Sequence, residues 1–252
     1  MLIEPLLITI HTHLNPTMRI TSFEAVDQKA QQTLKKEFGN MPYHNIHHAE
    51  NTAQEAVKLA RLEKKFALGQ GKSFALKRGD GQLLKVTAKC HDIIQGHPTP
   101  GENEKRSAEW LLAQLGNSLS EEEKEMVTVA ILGTQTLSKD NQLIQAVLGY
   151  KKHLSPRVVL FAELFADSDL SSLGSPWKTY WRSMSAFFRE IHPKSSLEQW
   201  MLYLEEQSSI LRRFHYKTEA GQKRYKYLRS NALKIEGLLK NPSKVEKSFQ
   251  KI

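Results

Sequence analysis

The feature that most constrains the fold is a succession of helix-forming segments separated by short polar breaks. Apolar residues recur at helical spacing, as they do at Ala49, Ala53 and Ala56. Ser120 is followed by three glutamates, which is the pattern of a hydroxyl cap with acidic residues in the first helical turn. No alternating run is long enough to demand a sheet, and no internal repeat is found. These patterns predict an all-α fold.

The helix signals also predict where the elements lie and how the chain is divided. We expect helices over residues 21–38, 47–64, 83–94, 104–115, 121–132, 156–169, 176–191, 196–213 and 219–239. The stretch 69–81 is expected to be a loop or loose hairpin, because it is glycine-rich and basic. It lacks the spacing of a phosphate-binding loop, so its role is expected to be structural. A single domain is predicted over 21–240, with an N-terminal extension over 1–20 and a basic C-terminal tail over 241–252. The apolar residues 1–10 are expected to dock as a strand or helical turn.

The composition is typical of a folded, water-soluble protein. Hydrophobic residues make up 40% of the 252 positions, and no apolar run approaches the roughly 20 residues needed to cross a bilayer. We therefore expect no membrane partner. The single cysteine, Cys90, lies in an apolar stretch, which indicates a small buried residue. It excludes an internal disulfide, and this favours a cytoplasmic location.

The chain is basic, with 36 lysines and arginines against 27 acidic residues and a net charge of +9. Much of the excess lies after Leu211. A nucleic-acid surface, the attraction of an anionic substrate and a solvated helical face all fit this distribution. The segment matches no recognised nucleic-acid-binding module, so nucleic acid is a less favoured partner than a small phosphate-bearing molecule.

The histidines and aspartates fall in three clusters. The first is the run 43–51, in which His44 and His48 would lie one helical turn apart while His47 would face elsewhere. The second is His91 with Asp92, which follows an apolar helix. The third is 167–169, again after an apolar run.

Charged residues at the ends of otherwise buried helices need partners. Two imidazoles and two carboxylates that meet from separate helices suit a divalent ion. For each cluster alone, a structural histidine or a chance dipeptide remains the alternative.

The motifs resemble, in the same order, those of the HD superfamily of metal-dependent phosphohydrolases. Tyr43-His44-Asn45 followed by His48-Ala49 is similar to the opening of the cyclic-nucleotide phosphodiesterases in that superfamily. The middle of the chain is similar to bacterial predicted HD phosphohydrolases, which carry His-Asp-Ile, Asn-Glu-x-x-Ser-Ala and Asp-x-Asp-Leu-x-x-Leu-Gly. These motifs occur here at 91–93, 103–108 and 167–174, and the resemblance covers roughly residues 25–235.

The resemblance implies an HD-type helical bundle and a phosphohydrolase that uses one divalent ion, which would be Mn, Mg, Fe, Co, Ni or Zn. It implies four metal ligands: His48, His91, Asp92 and Asp169. Asp167 is the reserve for the last position. Asp92 would also orient the attacking water, and His44 matches the general acid that protonates the leaving oxygen. Asn103 and Glu104 match a polar pair that would support the site.

The resemblance implies a phosphomonoester or phosphodiester substrate of nucleotide type. Lysines and arginines near the mouth of the site would offset the phosphate charge. The chain departs from the phosphodiesterase pattern at Gln95, where those enzymes have a histidine. It also reads Gln135-Thr136 where related bacterial proteins often have a histidine. The alternatives are a non-catalytic HD-like basic module that binds nucleic acid or a protein, and a lyase or oxygenase on the same scaffold.

Overall fold

The computed structural model describes residues 23–139, 142–145 and 153–251. The N-terminal extension expected over 1–20, and the strand or turn expected over 1–10, lie outside the described residues. The described elements are α1 (Phe23–Phe38), α2 (Ile46–Gly69), α3 (Asp80–Cys90), α4 (Glu102–Leu115), α5 (Glu121–Leu132), β1 (Thr136–Lys139), β2 (Gln142–Gln145), α6 (Pro156–Asp169), α7 (Trp177–Ile191), α8 (Leu197–Arg213), α9 (Glu219–Arg224), α10 (Leu228–Leu239) and α11 (Pro242–Phe249).

The prediction of an all-α fold is confirmed, since helices form the body of the described chain. The exception is an antiparallel hairpin in which Thr136 pairs with Gln145 and Lys139 pairs with Gln142. Sequence analysis did not predict this hairpin, because strands of four residues carry too little alternation to be told from a loop. Within the described residues, no helix combines the length and the apolar character needed to cross a membrane.

Capping residues explain why several helices begin where they do. The Ser120 side chain accepts a hydrogen bond from the Glu123 N–H, while the Glu123 carboxylate accepts one from the Ser120 N–H. The Asn45 side chain accepts hydrogen bonds from the N–H groups of His47 and His48 at the start of α2. This cap fixes His48 in the first turn of α2.

The predicted boundaries of α3 are wrong at both ends. The helix begins at Asp80, whose carboxylate accepts from the Lys77 N–H and binds Arg157, and it ends at Cys90 rather than near residue 94. His91 takes the C-cap position, with its Nδ1 donating to the Ala88 carbonyl.

The prediction of one helix over 219–239 is also wrong, because the chain breaks between α9 and α10. At the break, the Tyr225 hydroxyl donates to Glu55 in α2. The Tyr225 backbone lies so close to Gly174 that a Cβ there would stand 2.4 Å from the Tyr225 carbonyl oxygen. Long-range contacts therefore end this helix, and no local signal in the sequence marks the position.

The hydrophobic interior has two parts. The first core gathers buried residues from α1 to α6, including Phe161 and Phe165, together with the segment that runs from Ile210 to Tyr225. The second core gathers α7, α8, α10 and α11 around Trp200. The segment 241–252, expected from the sequence to be a basic tail, contains α11, whose Val245 is buried in the second core.

Candidate metal centre

Each predicted metal ligand lies at the end of a helix. His48 lies in the first turn of α2, and Asp169 is the last residue of α6. His91 caps the C-terminus of α3, and Asp92 follows it. Helices α2, α3 and α6 pack against one another, so these ends converge on one point beside the first core.

The donor atoms of His48, His91 and Asp169 lie close enough together to hold a common ion, and Asp92 lies beside the two imidazoles. The Nε2 atoms of His48 and His91 are 3.4 Å apart, and the Oδ1 atom of Asp169 lies 3.2 Å and 3.1 Å from them. The Oδ2 atom of Asp92 lies 2.8 Å from the His91 Nε2 and 3.4 Å from the His48 Nε2.

These separations can be compared with coordination geometry. Two ligands that each lie about 2.1 Å from one ion are about 3.0 Å apart at a right angle and about 3.4 Å apart at the tetrahedral angle. The observed separations of 2.8 to 3.4 Å are close to these values. His48, His91 and Asp169 form a group that could hold a metal ion, and the Asp92 Oδ2 lies beside its two imidazoles.

Hydrogen bonds outside the cluster orient two of the ligands. The His91 ring is buried, and its Nδ1 donates to the Ala88 carbonyl at 2.7 Å, which leaves the Nε2 lone pair facing the cluster. The Asp92 Oδ1 accepts from the Gln95 side-chain amide at 2.8 Å, which turns Oδ2 toward the histidines. Gln95, which replaces a histidine of the phosphodiesterase pattern, therefore supports a ligand.

The groups of the cluster are buried together, and this shifts their pKa values. Burial lowers the pKa of His48 and of His91, but the neighbouring carboxylates of Asp169 and Asp92 outweigh it, so both pKa values are raised. Burial raises the pKa of Asp92 and of Asp169, but the charge on His91 outweighs it, so both pKa values are lowered. All four groups bind metals in their deprotonated forms, so a cation would replace the protons that the imidazoles otherwise hold.

Asp167, the reserve ligand, lies outside the cluster. Its carboxylate is fully buried and accepts hydrogen bonds from the Lys217 N–H, the Thr218 N–H and the Thr218 hydroxyl, at 2.7, 2.8 and 2.7 Å. Residues two positions apart on a helix face different directions, so Asp167 and Asp169 serve different neighbours. The hydrogen bonds of Asp167 therefore hold the start of α9 against the end of α6.

His44 lies beside the cluster, and a carboxylate behind it sets its orientation. The His44 Nε2 is 3.8 Å from the Asp92 Oδ2, and its Nδ1 donates to the Oε1 of Glu190. The other Glu190 oxygen accepts from the N–H groups of Tyr43 and His44 at 2.7 and 2.9 Å. His47 is exposed and takes no part in these contacts.

Sequence analysis missed Glu190. It lies in the last turn of α7, far along the chain from His44, and belongs to no motif. Burial raises the pKa of Glu190, but its hydrogen bond with His44 outweighs this effect, so the pKa is lowered. The pairing depends on how α7 packs against the segment before α2, so no local pattern in the sequence could reveal it.

A cavity of about 460 Å³ opens beside the cluster, within the roughly 300–1,000 Å³ that is common for small-molecule sites. One side is formed by His44, His91, Asp92 and Asp169, with Asn103 and Glu104 of the sequence motif nearby. Residues of α7 and α8 complete the lining. The cavity therefore lies where the first and second cores meet.

The charge of this cavity differs from expectation. Lysines and arginines were expected near the mouth, yet the described residues that line the cavity include neither. They do include four carboxylates: Asp92, Asp169, Glu104 and Glu206. Burial raises the pKa of Glu104, and the charge of the nearby Asp92 adds to this effect.

Cys90 is buried next to His91 and has no part in this chemistry. Burial raises the pKa of its thiol far above the ordinary value, and Asp27 adds to the effect. Since the thiolate is the reactive form, Cys90 is a packing residue.

Comparison with models of known protein families finds no match, and comparison with curated proteins finds none either. The chemistry of the site is therefore inferred from its own residues. Those residues form a candidate metal centre of two imidazoles and the Asp169 carboxylate, with Asp92 beside it, next to a cavity and flanked by a His44–Glu190 pair.

Proposed function

We propose that this protein is a metal-dependent phosphohydrolase of the HD type, which cleaves a phosphomonoester or phosphodiester of a nucleotide-type substrate. The observation that carries the proposal is the convergence of three donor atoms, from His48, His91 and Asp169, with Asp92 beside them, next to a cavity of substrate size.

The donor set fits a divalent transition metal. His48, His91, Asp92 and Asp169 would hold the ion, and the two imidazoles favour Mn, Fe, Co, Ni or Zn over Mg. When bound, such an ion supplies a Lewis acid for a phosphoryl oxygen and for the attacking water. Gln95 keeps one Asp92 oxygen engaged, so the other stays directed toward the centre.

His44 is placed to act on the leaving group. Glu190 accepts a hydrogen bond from the Nδ1–H of His44, so the His44 Nε2 faces the Asp92 side of the cavity. In its protonated form, Nε2 can donate to the oxygen that departs from phosphorus. The Glu190 carboxylate is itself held by two backbone N–H groups, so it keeps the His44 ring in one orientation.

A non-catalytic HD-like module that binds nucleic acid or a protein is the alternative raised by the sequence. Such a module needs neither a group of metal-binding donors nor a histidine held by a partly buried carboxylate at the edge of a cavity. Both features support the catalytic proposal, because each has a defined role in phosphoester cleavage.

The test is elemental analysis of protein purified without added metal, followed by chelation and the return of each divalent ion in turn. We expect roughly one equivalent of a transition metal, and hydrolysis of at least one member of a phosphoester panel that is lost on chelation and restored by metal. Stoichiometric metal with no hydrolysis across the panel would contradict the proposal.

A further inference from the structure

Part of the cavity wall is made of one face of each of two helices, α7 and α8. On α8 the lining residues are Tyr203, Glu206, Gln207 and Ile210, which follow the spacing of a single helical face. On α7 the corresponding face includes Tyr180, Met184 and Phe187. This wall is largely aromatic and aliphatic, so it favours the apolar part of a bound molecule.

The charged groups in the cavity are unevenly distributed. Glu206 is exposed and makes no ion pair with the part of the chain that the structure describes. Its charge affects a neighbouring residue of the wall, Tyr203. Burial raises the pKa of Tyr203, and the charge of Glu206 adds to that effect. Because the described lining has no lysine or arginine, a negative group beyond the phosphate would meet carboxylates without a countercharge.

The rest of the molecule has the opposite charge, with a net value of +9. Long-range attraction therefore brings anionic molecules to the protein without distinguishing among them. Selection between those molecules falls to the cavity, where one phosphate can be neutralised by the metal centre and a second anionic group cannot. A repulsive element of this kind is an effective source of specificity.

We propose that the cavity selects its substrate by charge, with Glu206 as the residue that determines this specificity. The accepted molecules are esters of a single phosphate whose remaining part is uncharged or positively charged. Glu206 attracts a cationic group on that part and rejects a second anionic one. The inference rests on the proposed function, because it assumes that the phosphate lies at the metal centre.

The test uses alkyl phosphates of matched length that end in a methyl, an ammonium or a carboxylate group, over a series of increasing length. Affinity for the metal-loaded protein is measured by calorimetry, and kcat/KM is measured separately. At the length that reaches Glu206, we expect the carboxylate compound to bind about three- to tenfold more weakly than the methyl compound, and the ammonium compound to bind more tightly. The differences should shrink as salt is added.

Variants at two adjacent glutamates make the test specific. Glu206→Gln should remove the preference, and Glu206→Lys should reverse it. Glu205 is an exposed neighbour on α8 that does not line the cavity, so Glu205→Gln and Glu205→Lys make the same changes in net charge and should leave the preference intact. Equal effects at the two positions, or no preference in the unaltered protein, would overturn the inference.

The two measurements separate this inference from the proposed function. The expected order of affinities without hydrolysis of any compound would support charge selection and count against the hydrolase. Hydrolysis of all three compounds with equal kcat/KM would support the hydrolase and overturn charge selection. Thermal unfolding of each variant checks that its fold is retained.

Discussion

At the scale of single residues, two aspartates of the same motif have different roles. Asp169 faces the two imidazoles, whereas Asp167 accepts hydrogen bonds from Lys217 and Thr218. The sequence favoured Asp169 and kept Asp167 in reserve, because spacing alone shows only that the two face different ways. The partners that separate them lie some fifty residues further along the chain, which no local pattern reveals.

Changing each of the two aspartates to asparagine should therefore affect a different property of the protein. Asp169→Asn should reduce metal content with little effect on the metal-free protein. Asp167→Asn should keep the metal but lower the free energy of unfolding by about 1–3 kcal/mol, because the amide leaves a buried donor unsatisfied. Metal analysis and chemical denaturation of the metal-free proteins measure both effects. The reverse pattern would show that the ligand is misassigned.

His44 should be needed for turnover and not for metal binding. We expect His44→Ala to keep its metal while slowing hydrolysis by about 100- to 10,000-fold, because the leaving oxygen loses its proton donor. The loss should shrink for nitrophenyl esters, whose leaving group needs little protonation. His47→Ala is the control, since His47 is exposed and takes no part in the contacts of the cluster. Loss of metal from His44→Ala, or an equal loss of rate on both esters, would remove His44 from this role.

Glu190 should act through His44. We expect Glu190→Gln to slow turnover by about 10- to 100-fold, the range observed for residues that orient active groups. Because the change acts on the same proton donor, the loss should also shrink for nitrophenyl esters. In the His44→Ala background, Glu190→Gln should have little further effect on rate. Additive losses in the double variant would show that Glu190 acts by another route.

At the scale of elements, the sequence predicts a helix boundary correctly where a local interaction sets that boundary, and not where a long-range contact does. Helix starts that depend on a local cap, such as the one at Ser120, lie where the sequence predicts them. The break after α9 depends on Glu55 and Gly174, which lie on other elements, and it was missed. The same reasoning applies to the site: the motif residues His48, His91, Asp92 and Asp169 could be named from the chain, but Glu190 could not.

Two glycines offer a direct test of the packing at this break. A Cβ at Gly174 would meet the Tyr225 carbonyl oxygen at 2.4 Å, so Gly174→Ala should lower the free energy of unfolding by about 1–3 kcal/mol. Gly237, within α10, has open space around it. Gly237→Ala should therefore raise stability by about 0.5–1 kcal/mol, since alanine is the better helix former. Urea unfolding of the two variants measures the contrast, and equal changes would contradict the described approach of Tyr225 to Gly174.

At the scale of the whole molecule, polar contacts tie the distant segments of the chain together. The Glu55 carboxylate in α2 binds the Arg224 guanidinium and accepts from the Tyr225 hydroxyl at the end of α9. Lys58 contributes a third contact to the same carboxylate. Glu55 is largely buried, so its charge depends on these partners.

This network should make stability fall in acid. Burial raises the pKa of Glu55, but its hydrogen bonds with Arg224, Lys58 and Tyr225 outweigh this effect and lower the pKa from 4.5 to about 2. Because the folded pKa is the lower one, the stabilisation is present above about pH 4.5 and is lost as the pH falls toward 2. We expect a contribution of about 3 kcal/mol at neutral pH. Urea unfolding of the protein and of Glu55→Gln should show a gap that narrows between pH 5 and pH 3, and a constant gap would contradict this account.

The placement of the ligands at helix ends also bears on how such a chain can change length. The exposed residues 71–73 lie in the connection before α3. The 11 residues of that helix, about 16 Å in length, separate its start from His91. An insertion there would extend into solvent and leave the register of α3 fixed by the Asp80–Arg157 pair. This connection is therefore the natural place to splice in a reporter or a sensing module, and the one where relatives of this chain would be free to diverge in length.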